Sequence, residues 1–285
     1  MQRIEQRCVL SAVAAVRRSW YTLAVSGFDF SGKVVLVTGG TRGVGRGITD
    51  AFCDAGATVA VTARREPDFA LVAPRGGEPT FHPADVRDFD QVEALIDAVV
   101  ARHGRLDVVI NNAGGSPPAD TLSASPRFSS AIVALNLLAP LYVTQAAYRH
   151  LARAAGSVVN IGSVSATRPS PGTAAYGAAK AGLANLTKTL AVELAPHVRV
   201  NLVTGGLIDT EQSDLHYGAA DSAAAAAATV PMGRLATPAD VANACLFLAS
   251  GFATHITGAD LAVHGGGERP AFLDAVEAAS GDRSA

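Results

Sequence analysis

The sequence contains little charge, hardly any lysine and no long apolar run. Charged residues make up 17% of the 285 positions, below the roughly 25% that is typical, and only three of them are lysines. The net charge of −2 gives no electrostatic basis for nucleic acid or an anionic membrane as the main partner. No stretch reaches the roughly 18 uninterrupted apolar residues of a transmembrane helix. We therefore expect a soluble protein without a transmembrane segment.

Cysteine is also scarce. Cys8, Cys53 and Cys245 are far apart, odd in number and without C-x-x-C spacing, which is typical of buried thiols in a reducing compartment rather than of disulfides or a metal site. We expect a cytoplasmic protein that binds no metal. Hydrophobic residues are abundant at 49%, enough for a large core with apolar surface left for self-association.

Residues 1–26 differ in character from the rest of the chain. They contain four arginines, and Val9, Val13, Val16 and Trp20 have helical spacing. The apolar run is short and ends at two arginines without a small-residue cleavage site, which argues against export. We predict an N-terminal extension, helical or disordered, with a targeting peptide, a membrane-surface helix and a docking element as alternatives.

From residue 32 onward, short runs rich in β-branched residues alternate with longer alanine-rich segments. The runs lack polar/apolar alternation, which indicates strands buried on both faces of a parallel sheet covered by helices. Gly104 is predicted to end one helix, and Thr237 to begin another with Asp240 in its first turn. We predict a single-domain, doubly wound α/β (Rossmann) fold over residues 27–268. Its strands are expected at 33–38, 57–62, 107–110, 156–161, 198–203 and 260–263.

A glycine-rich turn follows the first predicted strand. The stretch TGGTRGVGRG, residues 38–47, opens a helix whose free N–H groups and dipole favour a pyrophosphate. Glycine turns precede many helices, but the place of this one after the first strand of an alternating chain favours a dinucleotide. The residues assigned to this site are Gly39, Thr41, Arg42, Gly43, Val44 and Gly45.

The end of the second predicted strand bears on which dinucleotide binds. NAD sites commonly place an acid there for the ribose 2′-hydroxyl, whereas NADP sites omit it and supply arginine. Here the strand ends with Arg64 and Arg65, and Arg42 lies in the glycine-rich turn. Because a planar guanidinium suits phosphate, NADP(H) is favoured, with NAD(H) possible. The alternative is that these arginines are merely solvated.

Tyr176 and Lys180 lie four positions apart in the stretch AAYGAAK. On a helix they share one face, and beside an ammonium group a tyrosine, whose ordinary pKa is about 10, can act as an acid or base near neutral pH. The alternative is an exposed helix with two ordinary polar residues, so this pair alone does not decide the function.

Taken together, the motifs resemble those of the short-chain dehydrogenase/reductase family from about Phe28 to Gly267. Ser163 precedes Tyr176 by thirteen residues, the separation that this family shows. The matching pieces are TGGTRGVG (38–45), DV (85–86), NNAG (111–114), the asparagine of ALNLLAP (136), IGSVSA with its first serine at 163, YGAAK (176–180) and PMGRLATPADVANACLFLAS (231–250).

The resemblance implies a role for each matched residue. Tyr176 would be the general acid in carbonyl reduction and the general base in alcohol oxidation. Lys180 would lower the pKa of Tyr176 and bind the nicotinamide ribose, and Ser163 would hydrogen-bond the substrate oxygen. Asn136 would hold a water that links Lys180 to bulk solvent. Further cofactor contacts would come from Asp85 and Val86 at the adenine, Asn111, Ala113 and Gly114 near the ribose, and Ile208 and Thr210 at the carboxamide.

Two of these cofactor residues have structural alternatives. Asp85 could instead cap the next helix, and Asn111 could pin the fourth strand.

The chain departs from the family pattern in three places. Gly205-Gly206 stands where the family usually has Pro-Gly, so we expect a more mobile substrate loop. His264 replaces a frequent aspartate and could face the substrate or a neighbouring subunit, although a lone histidine is more often structural. Residues 269–285 form a C-terminal tail that the core fold does not require.

The segments expected to frame the substrate are rich in small, apolar and prolyl residues, which favours a hydrophobic ketone or secondary alcohol. The chain resembles 3-oxoacyl-thioester reductases in general. In the combination of NNAGGSPPA, RPSPGTAAYGAAKAG and HGGGERPAFL it resembles a subgroup associated with hydroxyacyl-CoA intermediates of steroid-ring breakdown. Arg168 could meet a thioester's phosphates, but an ordinary surface arginine is the simpler account.

The resemblance also bears on assembly and on rival functions. Family members usually form tetramers through helix 174–195 and the last strand, so we expect a homotetramer. Three alternatives stay open: an NAD-dependent alcohol dehydrogenase, a catalytically silent nucleotide-binding regulator, and an isomerase or lyase on the same scaffold.

Overall fold

A single sheet of parallel strands organises the residues that the computed structural model describes, which are 27–211, 213 and 220–280. The strand order is β3-β2-β1-β4-β5-β6-β7. This confirms the predicted doubly wound α/β fold, whereas the prediction for residues 1–26 lies outside the described residues. The strands are β1 (Val34–Thr38), β2 (Thr58–Ala63), β3 (Thr80–Pro83), β4 (Val108–Asn111), β5 (Ser157–Ser163), β6 (Arg199–Gly205) and β7 (Asp260–Val263).

The sequence patterns located every strand except β3. The other strands begin and end within two residues of the predicted runs. β3 is a short edge strand, TFHP, whose first three residues are only half-buried and whose last residue is a proline. Proline cannot donate to a ladder, and an edge strand needs no continuous apolar run, so β3 carries neither of the patterns that identified the buried strands.

Helices cover both faces of the sheet. α1 and α7 pack on one face with Val35 and Val37 of β1, and α2, α4 and α5 pack on the other with Val34 and Leu36. This division follows from the alternation of side chains along a strand. The helices are α1 (Gly43–Asp54), α2 (Phe89–His103), α3 (Pro126–Val133), α4 (Ala139–Ala154), α5 (Ala174–Glu193), α6 (Ala220–Ala228), α7 (Pro238–Ala249) and α8 (Ala271–Ser280).

The predicted helix ends are confirmed. Gly104 ends α2 in the left-handed conformation with φ 78°. At the start of α7, the Thr237 hydroxyl accepts from the Asp240 amide at 3.3 Å, and the Asp240 carboxylate accepts from the Thr237 amide at 2.7 Å. The cap of α2 is Asp88 and not Asp85, so the capping alternative for Asp85 is wrong.

One helical run in the described part of the chain, Pro126–Ala154, is long and apolar enough by length and composition to cross a membrane. It comprises α3, a π-helical turn at Ala134–Leu138 and α4. Val143, Ala147 and Leu151 of α4 are buried in the core between helix and sheet. These contacts are those of a core helix in a globular fold.

Cys245 is a buried free thiol, as predicted, whereas the free thiol of Cys53 is only half-buried. Burial raises the pKa of Cys53 to about 12 and that of Cys245 further. Both thiols therefore stay protonated at neutral pH and are poor nucleophiles. Cys8 lies outside the described residues.

Candidate active site

The predicted site residues lie at one edge of the sheet. Because the strands are parallel, their carboxyl ends meet at the same edge. There β1 leads into the glycine-rich turn, β5 ends at Ser163, and β6 leads towards Ile208 and Thr210. The amino-terminal end of α5, with Tyr176, lies at this edge as well.

The glycine-rich turn is packed too closely for side chains. Gly39 and Gly43 have φ of 65° and 54°, in the left-handed region that favours glycine. A Cβ on Gly45 would lie 2.1 Å from the carbonyl oxygen of Gly39 and 2.4 Å from Nδ2 of Asn112. This cradle brings backbone amides to the start of α1, where an anion would be held.

Two residues absent from the predicted set hold this turn against β4. The Thr38 hydroxyl accepts from the amides of Asn112 at 3.0 Å and Ala113 at 2.9 Å. Asn112 Nδ2 donates to the carbonyl oxygens of Thr38 at 2.9 Å and Gly39 at 3.2 Å. Both residues belong to motifs quoted in the sequence analysis, which could have included them, but only the packing shows that they join β1 to β4.

Asn111 points into the fold. It is 2% exposed, and its Nδ2 donates to Asn160 Oδ1 at 2.9 Å and to Thr144 Oγ1 and Pro140 O at 3.3 Å each. These contacts link β4 to β5 and α4. Asn111 therefore pins β4, which is the structural role that the sequence analysis gave as the alternative to a cofactor contact.

Positive charge lies at the end of β2. Arg42, Arg64 and Arg65 are exposed, and within 27–211, 213 and 220–280 none of them forms a salt bridge. The carboxylate of Asp85 is held by the Arg87 guanidinium, which, with nearby Arg64, keeps the pKa of that carboxyl below its ordinary value. The carboxylate of Asp85 is thus already paired with a cation. Val86, next in sequence, is buried.

Lys180 is buried beside Tyr176. The lysine is 3% exposed, and its Nζ donates to the carbonyl oxygen of Ile161 at 2.7 Å and lies 5.7 Å from the centre of the Tyr176 ring. Burial lowers the pKa of Lys180 to about 8. The ammonium group is therefore fixed in position and still protonated for the most part at neutral pH.

Asn136 lies in the π-helical turn between α3 and α4, a distortion frequent at functional sites. It is fully buried, its Oδ1 accepts from Gly115 N at 2.9 Å, and its Nδ2 donates to Gly115 O at 3.0 Å and Ile132 O at 2.9 Å. A Cβ on Gly114 would lie 2.7 Å from Asn136 Oδ1 and 3.3 Å from Lys180 Nζ. The fold thus brings Asn136, Gly114 and Lys180 together.

Ser163 occupies the end of β5, where it pairs with Gly205 of β6, and its hydroxyl accepts from Ser165 N at 3.2 Å. The turn that follows touches the first turn of α5, because a Cβ on Gly177 would lie 2.9 Å from Ser165 O. A glycine next to Tyr176 therefore lets the tyrosine's helix approach the Ser163 turn.

The segment after β6 reaches across to the glycine-rich turn. Ile208 pairs with Ala236, and Glu211 Oε1 accepts from Gly43 N at 2.7 Å. No sequence signal pointed to Glu211, because the contact joins positions 168 residues apart. Here a carboxylate oxygen takes the place that a phosphate oxygen would have. The turn therefore fits an anionic cofactor.

Two of the noted departures from the family pattern, Gly206 and His264, lie against each other. A Cβ on Gly206 would lie 2.6 Å from Cβ of His264, so these residues pack directly on each other. Arg168 forms a 2.7 Å ion pair with Glu268 near the tail. The expected loop mobility after Gly206 concerns in part residues 212 and 214–219, which lie outside the described residues.

Known proteins resemble this chain over most of its length. The family model described as enoyl-(acyl carrier protein) reductase matches residues 39–268. The 3-oxoacyl-(acyl-carrier-protein) reductase FabG of Chlamydia muridarum is 36% identical over 242 residues, which cover 82% of this chain and 96% of the relative. The L-fucose dehydrogenase of Oryctolagus cuniculus is 37% identical over 249 residues, covering 85% and 87%. The structure of Thermoplasma acidophilum aldohexose dehydrogenase superposes with a TM-score of 0.78 at 33% identity, covering 84% and 95%.

Proposed function

The chain belongs to the short-chain dehydrogenase/reductase family, and on that basis we propose that it is an NADP(H)-dependent oxidoreductase acting on a hydrophobic ketone or secondary alcohol. A 3-oxoacyl thioester or a steroid-derived compound is the favoured substrate. The observation that carries this proposal is the buried Lys180 ammonium group 5.7 Å from the Tyr176 ring, at the same sheet edge as Ser163.

The chain's own residues would transfer the proton and bind the substrate oxygen. In carbonyl reduction, Tyr176 gives its hydroxyl proton to the carbonyl oxygen while Ser163 hydrogen-bonds that oxygen and stabilises its developing charge. Lys180 favours the phenolate that remains, because an adjacent cation lowers the pKa of a phenol. Asn136, next to Lys180, would hold the water through which bulk solvent replaces the proton that Tyr176 has given up. A nicotinamide dinucleotide held at this site would supply or accept the hydride.

The preference for NADP(H) is supported by charge. Arg64 and Arg65 are exposed just after β2, Arg42 is exposed in the glycine-rich turn, and the nearby Asp85 is already paired with Arg87. A 2′-phosphate would gain charge-assisted hydrogen bonds there, whereas the carboxylate of Asp85, already paired with Arg87, is not a free acceptor for a 2′-hydroxyl. The cradle of Gly39, Gly43 and Gly45 would hold the pyrophosphate.

The preference for a hydrophobic substrate is supported by the small, apolar and prolyl composition of 114–128, 164–175 and 207–232. Relatives act on two kinds of compound: FabG is a 3-oxoacyl reductase, whereas the L-fucose and aldohexose enzymes are sugar dehydrogenases. Both kinds therefore belong in the substrate test.

We also propose residues 27–268 as the catalytic domain of a cytoplasmic homotetramer. The small residues of α5 support assembly only in part. Gly177 and Gly182 face Ser165 and Leu137 of their own chain, while Ala178 and Ala181 remain exposed on one face of the helix. Light scattering coupled to size-exclusion chromatography would give the assembly state.

The decisive experiment follows absorbance at 340 nm with NADPH or NADH against 3-oxoacyl thioesters and hydrophobic ketones, and with NADP⁺ or NAD⁺ against the matching alcohols and aldoses. Tyr176→Phe should lower kcat by about a hundredfold or more with cofactor binding retained. Tyr148→Phe, which removes a hydroxyl from α4, is the matched control. Tight NADPH binding without turnover of any compound would favour the regulator, and oxidation of alcohols or sugars with NAD⁺ rather than NADP⁺ would favour an NAD-dependent dehydrogenase.

A further inference from the structure

The start of α1 carries an anion from elsewhere in the chain. Gly43 N donates to Glu211 Oε1 at 2.7 Å. The N-cap residue Arg42 makes no side-chain capping hydrogen bond, and the first turn of α1 contains no acid. Because the first amides of a helix need acceptors and its dipole favours negative charge, Glu211 supplies the cap that the local sequence lacks.

A short turn holds Glu211 in place. Thr210 N donates to Ser213 Oγ at 2.7 Å, and Ser213 N donates back to Thr210 O at 3.0 Å. Ser213 Oγ also donates to Asp209 Oδ1 at 3.1 Å, and Asp209 N donates to Ala236 O at 2.7 Å. The backbone that presents Glu211 is thus anchored on both sides. Glu211 itself is exposed, and this anchored backbone keeps its carboxylate within reach of Gly43 N.

Gly43 belongs to the turn that would hold the cofactor's pyrophosphate, so a carboxylate and a phosphate need the same amide. Two anions at one helix start repel each other as well as competing for N–H donors. We propose that Glu211 sets cofactor affinity: its carboxylate competes with the pyrophosphate for Gly43 and leaves that amide when the dinucleotide binds. This rests on the nucleotide-binding part of the proposed function, but not on the choice between NADP and NAD.

Removing the charge should have opposite effects on the free protein and on binding. Glu211→Gln keeps the shape and removes the competing charge, so the Kd for NADP⁺ should fall by about threefold to tenfold. The same variant weakens the cap, so the melting temperature of the free protein should fall by about 1–4 °C. If Glu211 only stabilised the turn, replacing it would weaken nucleotide binding and also destabilise the protein.

The test measures Kd for NADP⁺ and NAD⁺ by isothermal titration calorimetry, and melting temperature without nucleotide, for wild type, Glu211→Gln and Glu211→Ala. Glu193→Gln, which removes an exposed carboxylate from the end of α5, is the charge-matched control. Tighter binding with lower free-protein stability in both Glu211 variants is the expected result. Unchanged or weaker binding in those variants, with wild-type binding intact, would overturn the inference and leave the proposed function standing. Wild-type protein that binds neither nucleotide would overturn both.

Discussion

The ammonium group of Lys180 donates a 2.7 Å hydrogen bond to the main-chain carbonyl of Ile161 and thereby ties α5 to β5. The lysine is 3% exposed, and none of the salt bridges within the described residues includes it. A buried cation without a counterion is costly, which is why burial lowers its pKa to about 8 from an ordinary 10.5.

Replacing Lys180 with methionine should change how stability depends on pH. Between about pH 8 and 10.5 the unfolded chain binds a proton that the folded chain has released, so wild-type stability rises with pH relative to the variant. The relative gain in the free energy of unfolding should approach about 3 kcal/mol. Urea denaturation across this range measures it, with Lys188→Met on the exposed face of α5 as control. A difference between wild type and Lys180→Met that stays constant with pH would contradict the prediction.

Gly177→Ala should impair turnover more than Gly182→Ala. The new Cβ at 177 would lie 2.9 Å from the backbone oxygen of Ser165, whereas that at 182 would lie 3.1 Å from the movable side chain of Leu137. Displacement of the Ser163 turn should lower kcat/KM by about tenfold to a hundredfold, whereas Gly182→Ala should cost less than about threefold. Steady-state kinetics of both variants, with melting temperatures to exclude unfolding, measure the difference. Equal losses would show that the spacing at 177 is not critical.

Arg64→Ala should reduce the preference for NADPH. Loss of a charge-assisted hydrogen bond to the 2′-phosphate should raise KM for NADPH by about tenfold to a hundredfold and change KM for NADH by less than about threefold. Arg153→Ala, at the exposed last turn of α4 and the opposite sheet edge, is the control. An equal rise in KM for both cofactors would show that Arg64 does not bind the 2′-phosphate.

The ion pair between Arg168 and Glu268 links the segment after β5 to that after β7. Arg168→Gln and Glu268→Gln should therefore have the same small effect on KM, about twofold to fivefold, with stability changed by less than about 1 kcal/mol. The comparison uses a 3-oxoacyl-CoA and the corresponding N-acetylcysteamine thioester, which lacks phosphates. An increase in KM confined to Arg168→Gln with the CoA ester would instead assign Arg168 to the thioester's phosphates.

The sequence by itself determined the fold class, the buried strands, the end of α2, the start of α7 and the types of residue in the candidate site. These features depend on short-range physics. Strands buried on both faces need continuous apolar runs, Gly104 can adopt a left-handed conformation, and Thr237 and Asp240 can cap a helix from within three residues. The sequence did not predict the edge strand β3, because a partly buried strand does not need a continuous apolar run.

Only the tertiary structure decided which side chains meet. It turned Asn111 into the fold, set Asn112 on the glycine-rich turn, and placed Glu211 on Gly43. Each contact joins residues at least 49 positions apart. Local patterns set backbone conformation and the face of an element, but a hydrogen bond across such a distance exists only once the sheet order and the packing of helices have brought its donor and acceptor together.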